Sequence, residues 1–377
     1  MRIGLIVNPS AGMGGRVALK GSDGPAAERA VALGAVPIAG ERASRFLGRL
    51  AKACGAFDLI TIGGAMGGDA AKAAAHAATV LPVVVGQPTD ARDTMHAARA
   101  LEAAGVDLIV FVGGDGTARD VLAAIGTRVL TLGIPSGVKM QSAVFATSPE
   151  AGAVLVAALA SRTGMIASHD AEVMDIDESA LSEGTIAARL HGYLRVPQAP
   201  LLVQPGKARG PSSSARVGGA AREIASAMTP GTLYLIGPGT SMRLVKGALG
   251  FDGTLLGVDA VRDSRVVGLD VTERQILALA GDAKLRIILG IIGGQGFLLG
   301  RGNQQLSPEI IRRAGGLEGL IVLASTEKLL ALEGRPLLVD TGDPALDSAL
   351  AGYVRITTGP GEATVVRIAA PPARDWA

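Results

Sequence analysis

Gly113-Gly114-Asp115-Gly116-Thr117 stands where the hydrophobic pattern of the chain changes period. Before it, Asp107-Leu108-Ile109-Val110-Phe111-Val112 is an apolar run of the length of a buried strand. After it, Ala118, Val121, Leu122 and Ile125 recur at helical spacing. Strand, glycine turn and helix in that order belong to an α/β architecture, in which ligands bind beyond the carboxyl ends of parallel strands. Three glycines leave no Cβ in the way, so a phosphate chain can approach the backbone N–H groups. Asp115, in the middle of the turn, can steer a hydroxyl or a metal-bound phosphate. A nucleotide-dependent phosphotransferase needs these features together. The plain alternative is a surface turn with Asp115 or Thr117 as a helix cap; the wholly apolar strand on one side and the helix on the other favour the site.

The rest of the first half repeats the alternation. Strands are expected over 3–7, 59–62, 81–85, 108–112 and 129–133, and helices over 28–33, 42–54, 91–104, 117–125 and 149–161. Residues 66–78 read as loop then helix, and Thr89 or Asp90 supplies the cap of the helix that follows. Such alternation implies a parallel sheet with right-handed crossovers. Asp58-Leu59-Ile60-Thr61-Ile62-Gly63-Gly64 echoes the strand before Asp115, as if two strands ended on one rim. After Gly164 the pattern changes to short strands over 173–176, 186–190, 193–196 and 201–204. Residues 207–219, with three consecutive serines, read as an exposed mobile loop. A helix over 220–228 and a strand over 233–236 follow, and mixed elements return between 285 and 339.

Composition narrows the function. Aromatic residues are only 3% although 48% of the chain is apolar, so the core is built from Ala, Val, Leu and Ile, as in parallel sheets. A net charge of +2 without a Lys/Arg block, together with scarce aromatics, argues against nucleic acid as a partner. The single cysteine, Cys54, cannot form an internal disulfide, which fits a cytoplasmic protein. No signal peptide is expected at the start, where Met1 to Val7 runs directly into Asn8-Pro9. The most apolar later stretch, between Arg286 and Arg301, is 14 residues and too short for a bilayer. His76, His96, His169 and His191 lack metal-ligand spacing, and no G-x-S-x-G elbow is present. The expected partners are small-molecule substrates and further copies of the chain.

Several other residues could serve a site on the same rim. Asn8 and Ser10 follow the first strand and either hold a nucleotide or form an Asx turn. Ser136 and Lys139 lie in the loop after 129–133; Lys139 either neutralises a phosphate or is an ordinary solvated lysine. Asp175 and Asp177 share one face of an extended segment, with Glu178 beside them, and could bind metal or hydroxyls or simply protect a strand edge. Arg301 lies in a glycine-rich stretch with Gln295, Asn303, Gln304 and Gln305; its planar fork suits phosphate or carboxylate, and a structural loop is the alternative.

Gly113 to Thr117 is also the signature that NAD kinases share with diacylglycerol and sphingosine kinases. Asn8-Pro9-Ser10-Ala11-Gly12-Met13-Gly14-Gly15 resembles the Asn-Pro-x-x-Gly-x-Gly segment that precedes it in those families. Phe111-Val112-Gly113-Gly114-Asp115-Gly116-Thr117-Ala118-Arg119-Asp120, Gly133-Ile134-Pro135-Ser136-Gly137-Val138-Lys139-Met140, Asp175-Ile176-Asp177-Glu178, Thr254-Leu255-Leu256-Gly257-Val258-Asp259, Gly293-Gly294-Gln295-Gly296-Phe297, Gly300-Arg301-Gly302-Asn303-Gln304-Gln305-Leu306-Ser307-Pro308 and Asp340-Thr341-Gly342-Asp343 are similar to the ATP-NAD kinase family, in the branch that includes acetoin-catabolism protein X. The resemblance runs from residue 3 to about 355. It departs from standard NAD kinases at the Asn-Glu pair that holds NAD, whose nearest counterpart is Ala171-Glu172, and at Gly-Ser-Thr-Ala-Tyr, loosely echoed by Gly237-Pro238-Gly239-Thr240-Ser241.

The resemblance implies an NAD kinase-like α/β fold. An N-terminal Rossmann-like domain with a parallel sheet would span 1–163 and a mixed C-terminal domain 164–377, strand-rich over 171–260, with 281–377 packing back on the first. It implies an ATP-dependent kinase acting on the adenosine ribose 2′-hydroxyl of NAD. Mg²⁺ would bridge the donor oxygens, and Asp115 would take the hydroxyl proton and meet the metal only through the phosphates. Asn8, Ser10, Gly113, Gly114, Gly116, Thr117, Ser136 and Lys139 would hold the phosphates. Glu172, Asp175, Asp177, Gly239, Thr240 and Arg301 would line the acceptor side. A kinase of another small hydroxyl-bearing metabolite, or a nucleotide-binding regulator without turnover serving a catabolic pathway, stays open. A lipid kinase is disfavoured by the lack of a basic amphipathic segment.

Overall fold

A computed structural model describes residues 1–19, 25–54, 57–138, 140–161, 167–176, 188–199, 202–203, 214–292 and 295–369. These fall into two compact units, one from 1–14 and 25–203 and the other from 15–19 and 214–369. The sequence-expected boundary at 163 thus lies inside the first unit.

The first unit strings together β1 (Arg2–Val7), α1 (Pro25–Ala32), α2 (Ala39–Ala53), β2 (Asp58–Ile62), α3 (Gly68–Ala73), β3 (Ala78–Leu81), α4 (Ala91–Ala103), β4 (Leu108–Gly113), α5 (Asp115–Ile125), β5 (Leu130–Pro135), α6 (Pro149–Ser161), β6 (Ser168–Ile176) and β7 (Ala188–Pro197). The sheet order is β3-β2-β1-β4-β5 and every pairing is parallel. Past their first residues β1, β2, β4 and β5 are buried on both faces, which is why they read as apolar runs, whereas the edge strand β3 leaves Thr79 and Val80 exposed. Leu108, Val110 and Val112 of β4 enter one core with Phe46, Leu47 and Leu50 of α2. Ile109 and Phe111 enter the opposite core with Leu101 of α4 and Val121 and Ile125 of α5. The chain winds outward from β1 to β2 and β3, then returns to lay β4 on the other side of β1. The strand order therefore reverses between β1 and β4, and their carboxyl ends frame the crevice where open α/β sheets bind ligands.

Four local expectations change. Helix α5 starts at Asp115 and not at Thr117, because Gly114 takes the N-cap position and its carbonyl accepts from Ala118 N–H at 3.0 Å. β3 occupies Ala78–Leu81 and not 81–85, since Pro82 has no N–H to donate to a ladder. The strands expected over 186–190 and 193–196 are one strand, β7, paired antiparallel with β6; the register shifts between Val173 and Met174, opposite Gly192 at φ +145°. Of the strand expected over 201–204, Val203 forms a single bridge to Ala146.

The second unit contains α7 (Ser214–Ser226), β8 (Leu233–Ile236), α8 (Thr240–Ala248), β9 (Asp259–Arg262), β10 (Arg265–Gly268), α9 (Glu273–Ala280), β11 (Leu285–Gly290), β12 (Phe297–Leu299), α10 (Pro308–Arg313), β13 (Leu320–Leu323), α11 (Thr326–Leu330), β14 (Leu338–Val339), α12 (Pro344–Ala349), β15 (Gly352–Gly359) and β16 (Glu362–Ile368). Residues 214–219, expected in a mobile loop, open α7, and the remainder of that loop lies outside the described residues. The main sheet runs β10-β9-β8-β11-β13-β15-β16, with a parallel centre from β8 to β15 and antiparallel strands at both edges. Among the described residues, no helix is long and apolar enough to cross a membrane.

Candidate active site

β1 and β4 end side by side, with Asn8 N–H donating to the Val112 carbonyl at 3.0 Å. The two loops that leave them are tied by a side-chain bond: Asn8 Nδ2 donates to Thr117 Oγ1 at 2.9 Å. Asn8 Oδ1 also accepts from Ser10 N–H at 3.1 Å. Asn8 thus closes an Asx turn and reaches the first turn of α5 with the same amide.

The glycines have an internal reason. A Cβ on Gly113 would overlap the Thr117 side chain, and a Cβ on Gly114 would lie 2.9 Å from Gly137 Cα. The Gly113 carbonyl accepts from Ser136 N–H at 2.8 Å and Gly137 N–H at 3.1 Å. Gly116 is half-buried one residue into α5. Ser136 turns its hydroxyl inward, donating to the Ala11 carbonyl at 3.2 Å. A Cβ on Gly12 would overlap the Ser136 carbonyl, so the loop after β1 packs against the loop after β5. Arg42, which the sequence did not single out, secures the second of these loops from α2, donating to the Pro135 carbonyl at 2.8 Å.

Asp115 occupies the first turn of α5 and is only 5% exposed. Its Oδ2 accepts from Gln141 N–H at 2.6 Å, and its Oδ1 accepts from Ser142 N–H at 3.1 Å and Ser142 Oγ at 2.6 Å. Burial pushes its carboxyl up to about 7, against the downward pull of these three hydrogen bonds; the negative charge of Asp175 adds to the rise. A carboxyl that titrates near neutrality, at the switch point of a parallel sheet, suits proton transfer.

Gln141 and Ser142 were missed in the sequence. Their signal in the sequence is slight: two polar residues just beyond the loop that holds Ser136 and Lys139. Arg119, one turn into α5, was missed as well: its Nη1 lies 2.9 Å from Asp175 Oδ2. Asp175, expected to meet substrate, therefore makes an ion pair within the unit. Glu172 is exposed, and its carbonyl accepts from Ala143 N–H at 2.9 Å. Ala171 faces the other way, 3% exposed, in the core with Val173, Leu194 and Val196. Lys139 and Asp177 lie outside the described residues.

The remaining expected residues belong to the second unit. Gly239, at φ +109°, precedes α8, and Thr240 is exposed in its first turn. Arg301 has found its carboxylate inside the chain: Nη1 is 2.6 Å from Asp340 Oδ2, and the guanidinium lies over the Phe297 ring at 4.2 Å. With 3% exposure, this arginine is a core ion pair in the structure. Among the described residues, no three His, Cys, Asp or Glu side chains converge on a metal position.

Two family descriptions match the sequence. The ATP-NAD kinase N-terminal domain covers residues 3–163, and the ATP-NAD kinase C-terminal domain covers residues 230–368. The chain belongs to the ATP-NAD kinase family. The first match spans the five-stranded parallel sheet and Asp115; the second spans the mixed sheet from β8 to β16. No curated protein and no solved structure matches the chain.

Proposed function

We propose that this chain is an ATP-dependent kinase that phosphorylates the adenosine ribose 2′-hydroxyl of NAD. The observation that supports it most is the Asp115 carboxyl: buried, held by three donors, titrating near 7, and placed where the strand order reverses. A carboxylate can accept about four hydrogen bonds, and Asp115 uses three, so Oδ2 retains a position for a substrate hydroxyl. In the reaction, the hydroxyl oxygen bonds to the γ-phosphorus, the bond from that phosphorus to the β–γ bridging oxygen breaks, and ADP leaves. Asp115 takes the hydroxyl proton. Asn8 and Thr117 would steady the loop beneath the phosphates.

Mg²⁺ fits this site only in company with the nucleotide. Both Asp115 oxygens already face N–H or O–H donors, and the described residues hold no converging set of ligands. The metal would sit on the donor phosphates and neutralise the charge that develops there.

A second reading has its own observation. Ala171 stands nearest to the asparagine that standard NAD kinases use, and its side chain is in the apolar core. A different small hydroxyl-bearing acceptor would not need that asparagine. The test is purified protein with ATP and Mg²⁺, assayed against NAD, NADH and a panel of hydroxyl-bearing metabolites. NADP formation supports the first reading; none at millimolar NAD, with ATP still bound, supports the second.

A further inference from the structure

Ser142 offers one hydroxyl hydrogen to two acceptors. Its Oγ is 2.6 Å from Asp115 Oδ1 and 2.9 Å from the Met174 carbonyl, and it accepts from Met174 N–H at 2.9 Å. It is fully buried. These contacts join the first turn of α5, the loop after β5 and strand β6.

We propose that Ser142 is a positioning residue that couples the protonation of Asp115 to the direction of a single hydroxyl. With Asp115 ionised, the Ser142 hydrogen points to Oδ1 and holds the carboxylate in the orientation that leaves Oδ2 toward the acceptor. Once Asp115 has taken the substrate proton on Oδ2, Oδ1 is a neutral carbonyl oxygen and a weaker acceptor, and the Ser142 hydrogen turns to the Met174 carbonyl, 2.9 Å away. Gln141 N–H stays on Oδ2 in both states. The change of charge is met by rotation of the Ser142 hydroxyl about its Cβ–Oγ bond, with no movement of heavy atoms, so the carboxyl keeps its geometry through the transfer. The proposal rests on Asp115 as the base.

Among the described residues, the surrounding charges do not supply an alternative. From the hairpin, Asp175 opposes ionisation of Asp115, and Arg119 on α5 holds Asp175 at 2.9 Å. Burial acts on the carboxyl from every side. Among the described residues, the Ser142 hydroxyl is the side-chain donor on the carboxylate, and the other two donors are backbone N–H groups that alanine, cysteine or threonine at 142 leaves in place. The sequence shows nothing of this, because the serine is 27 residues from Asp115.

The experiment compares wild type with Ser142→Ala, Ser142→Cys and Ser142→Thr. Two readouts are taken: the pH profile of kcat, and the titration of the Asp115 carboxyl carbon by NMR, assigned with Asp115→Asn. Alanine removes the donor, and cysteine keeps the size but donates weakly. Both should move the acid limb of kcat and the carboxyl midpoint upward by about one pH unit, since the ionised state loses a charge-assisted bond. Threonine keeps the hydroxyl and should restore the wild-type midpoint. A merely structural serine would lower stability or turnover without moving either midpoint. Thermal melts identify any variant that does not fold, and the near-isosteric cysteine then carries the comparison. Unmoved midpoints in a folded alanine or cysteine variant, with turnover lost in Asp115→Asn, overturn the role of Ser142 alone. Turnover that survives Asp115→Asn overturns the base and Ser142 together.

Discussion

Gly114 and Gly137 lie back to back: a Cβ on Gly137 would come within 2.7 Å of Gly114 Cα, and the reciprocal approach is 2.9 Å. Two turns, one after β4 and one after β5, are thereby held at backbone contact, with the Gly113 carbonyl bonded to both Ser136 and Gly137 N–H. Neither glycine sits at positive φ, so the requirement is for space. Backbone faces backbone there, and nothing flexible can give way. Gly137→Ala should cost about 1–3 kcal/mol by overpacking and displace the loop that carries Gln141 and Ser142. Denaturant melts would show the loss, and turnover should fall with it. An alanine variant of unchanged stability and activity would mean that the two turns are not held together in solution.

Asp115 makes stability depend on pH in a direction opposite to that of most carboxylates. Its folded value of about 7 exceeds the ordinary 3.8, so the folded chain binds more protons than the unfolded chain between those values. The stability this group contributes is complete below about pH 4 and is lost as pH rises through 7. Each unit corresponds to about 1.4 kcal/mol. Asp115→Asn removes the titration, so wild type should lose roughly 3 kcal/mol relative to the variant between pH 5 and pH 8. The same variant should lower turnover by about 10²-fold or more. Unfolding curves at the two pH values check the first statement; parallel behaviour of the two proteins would contradict it.

Lys246 and Asp259 form a pair with no exposed side-chain surface, 2.8 Å apart. Asp259 also accepts from Thr254 N–H and Oγ1, each at 2.7 Å, and from Asp270 N–H at 2.8 Å, while Lys246 donates to the Thr254 carbonyl at 2.6 Å. This explains why threonine and aspartate stand five residues apart in the segment 254–259: together they fold the loop that leads into β9. Lys246→Met leaves the carboxylate buried without its cation and should cost about 3–5 kcal/mol. Adding Asp259→Asn should recover part of that loss, because the stranded charge is gone. A double variant no more stable than the single one would show that the hydrogen bonds, and not the charge, carry the loop.

Much of the first unit was legible because its signals are local. The run from Leu108 to Val112 is apolar on both faces, and both faces are covered. Asp90 was readable as a cap, and it caps α4 through a reciprocal pair with Asp93. The rim shared by Asn8 and Asp115 followed from alternation, and the Asn8–Thr117 bond lies on it. What stayed hidden depends on distant partners. The glycines around Asp115 were read as room for phosphate, yet Gly113 and Gly114 are required by Thr117 and Gly137. Arg301 offered a fork for a ligand, and Asp340, 39 residues on, occupies it. Ser142 had no motif at all. Pairings of this kind are set by the loops of a finished sheet, and a single sequence does not record them.

Ala171, the sequence counterpart of the asparagine in standard NAD kinases, faces the apolar core, where an amide side chain has no place. Along β6 the side chains alternate, so Ala171 and Val173 enter the core while Glu172 is exposed. Position 171 meets Val173, Leu194 and Val196 in an apolar cluster. Restoring the family residue by Ala171→Asn would bury an amide among apolar side chains, at a cost of about 1–3 kcal/mol if its groups find no partner. It should lower stability without improving NAD binding. NAD itself should be phosphorylated weakly, with a raised KM, because one missing hydrogen bond weakens binding by roughly 0.5–1.5 kcal/mol. The measurement is KM for NAD in wild type and Ala171→Asn, beside thermal melts of both. A lower KM in a stable asparagine variant would show that position 171 reaches the acceptor and that this chain differs from its family by one replaceable contact.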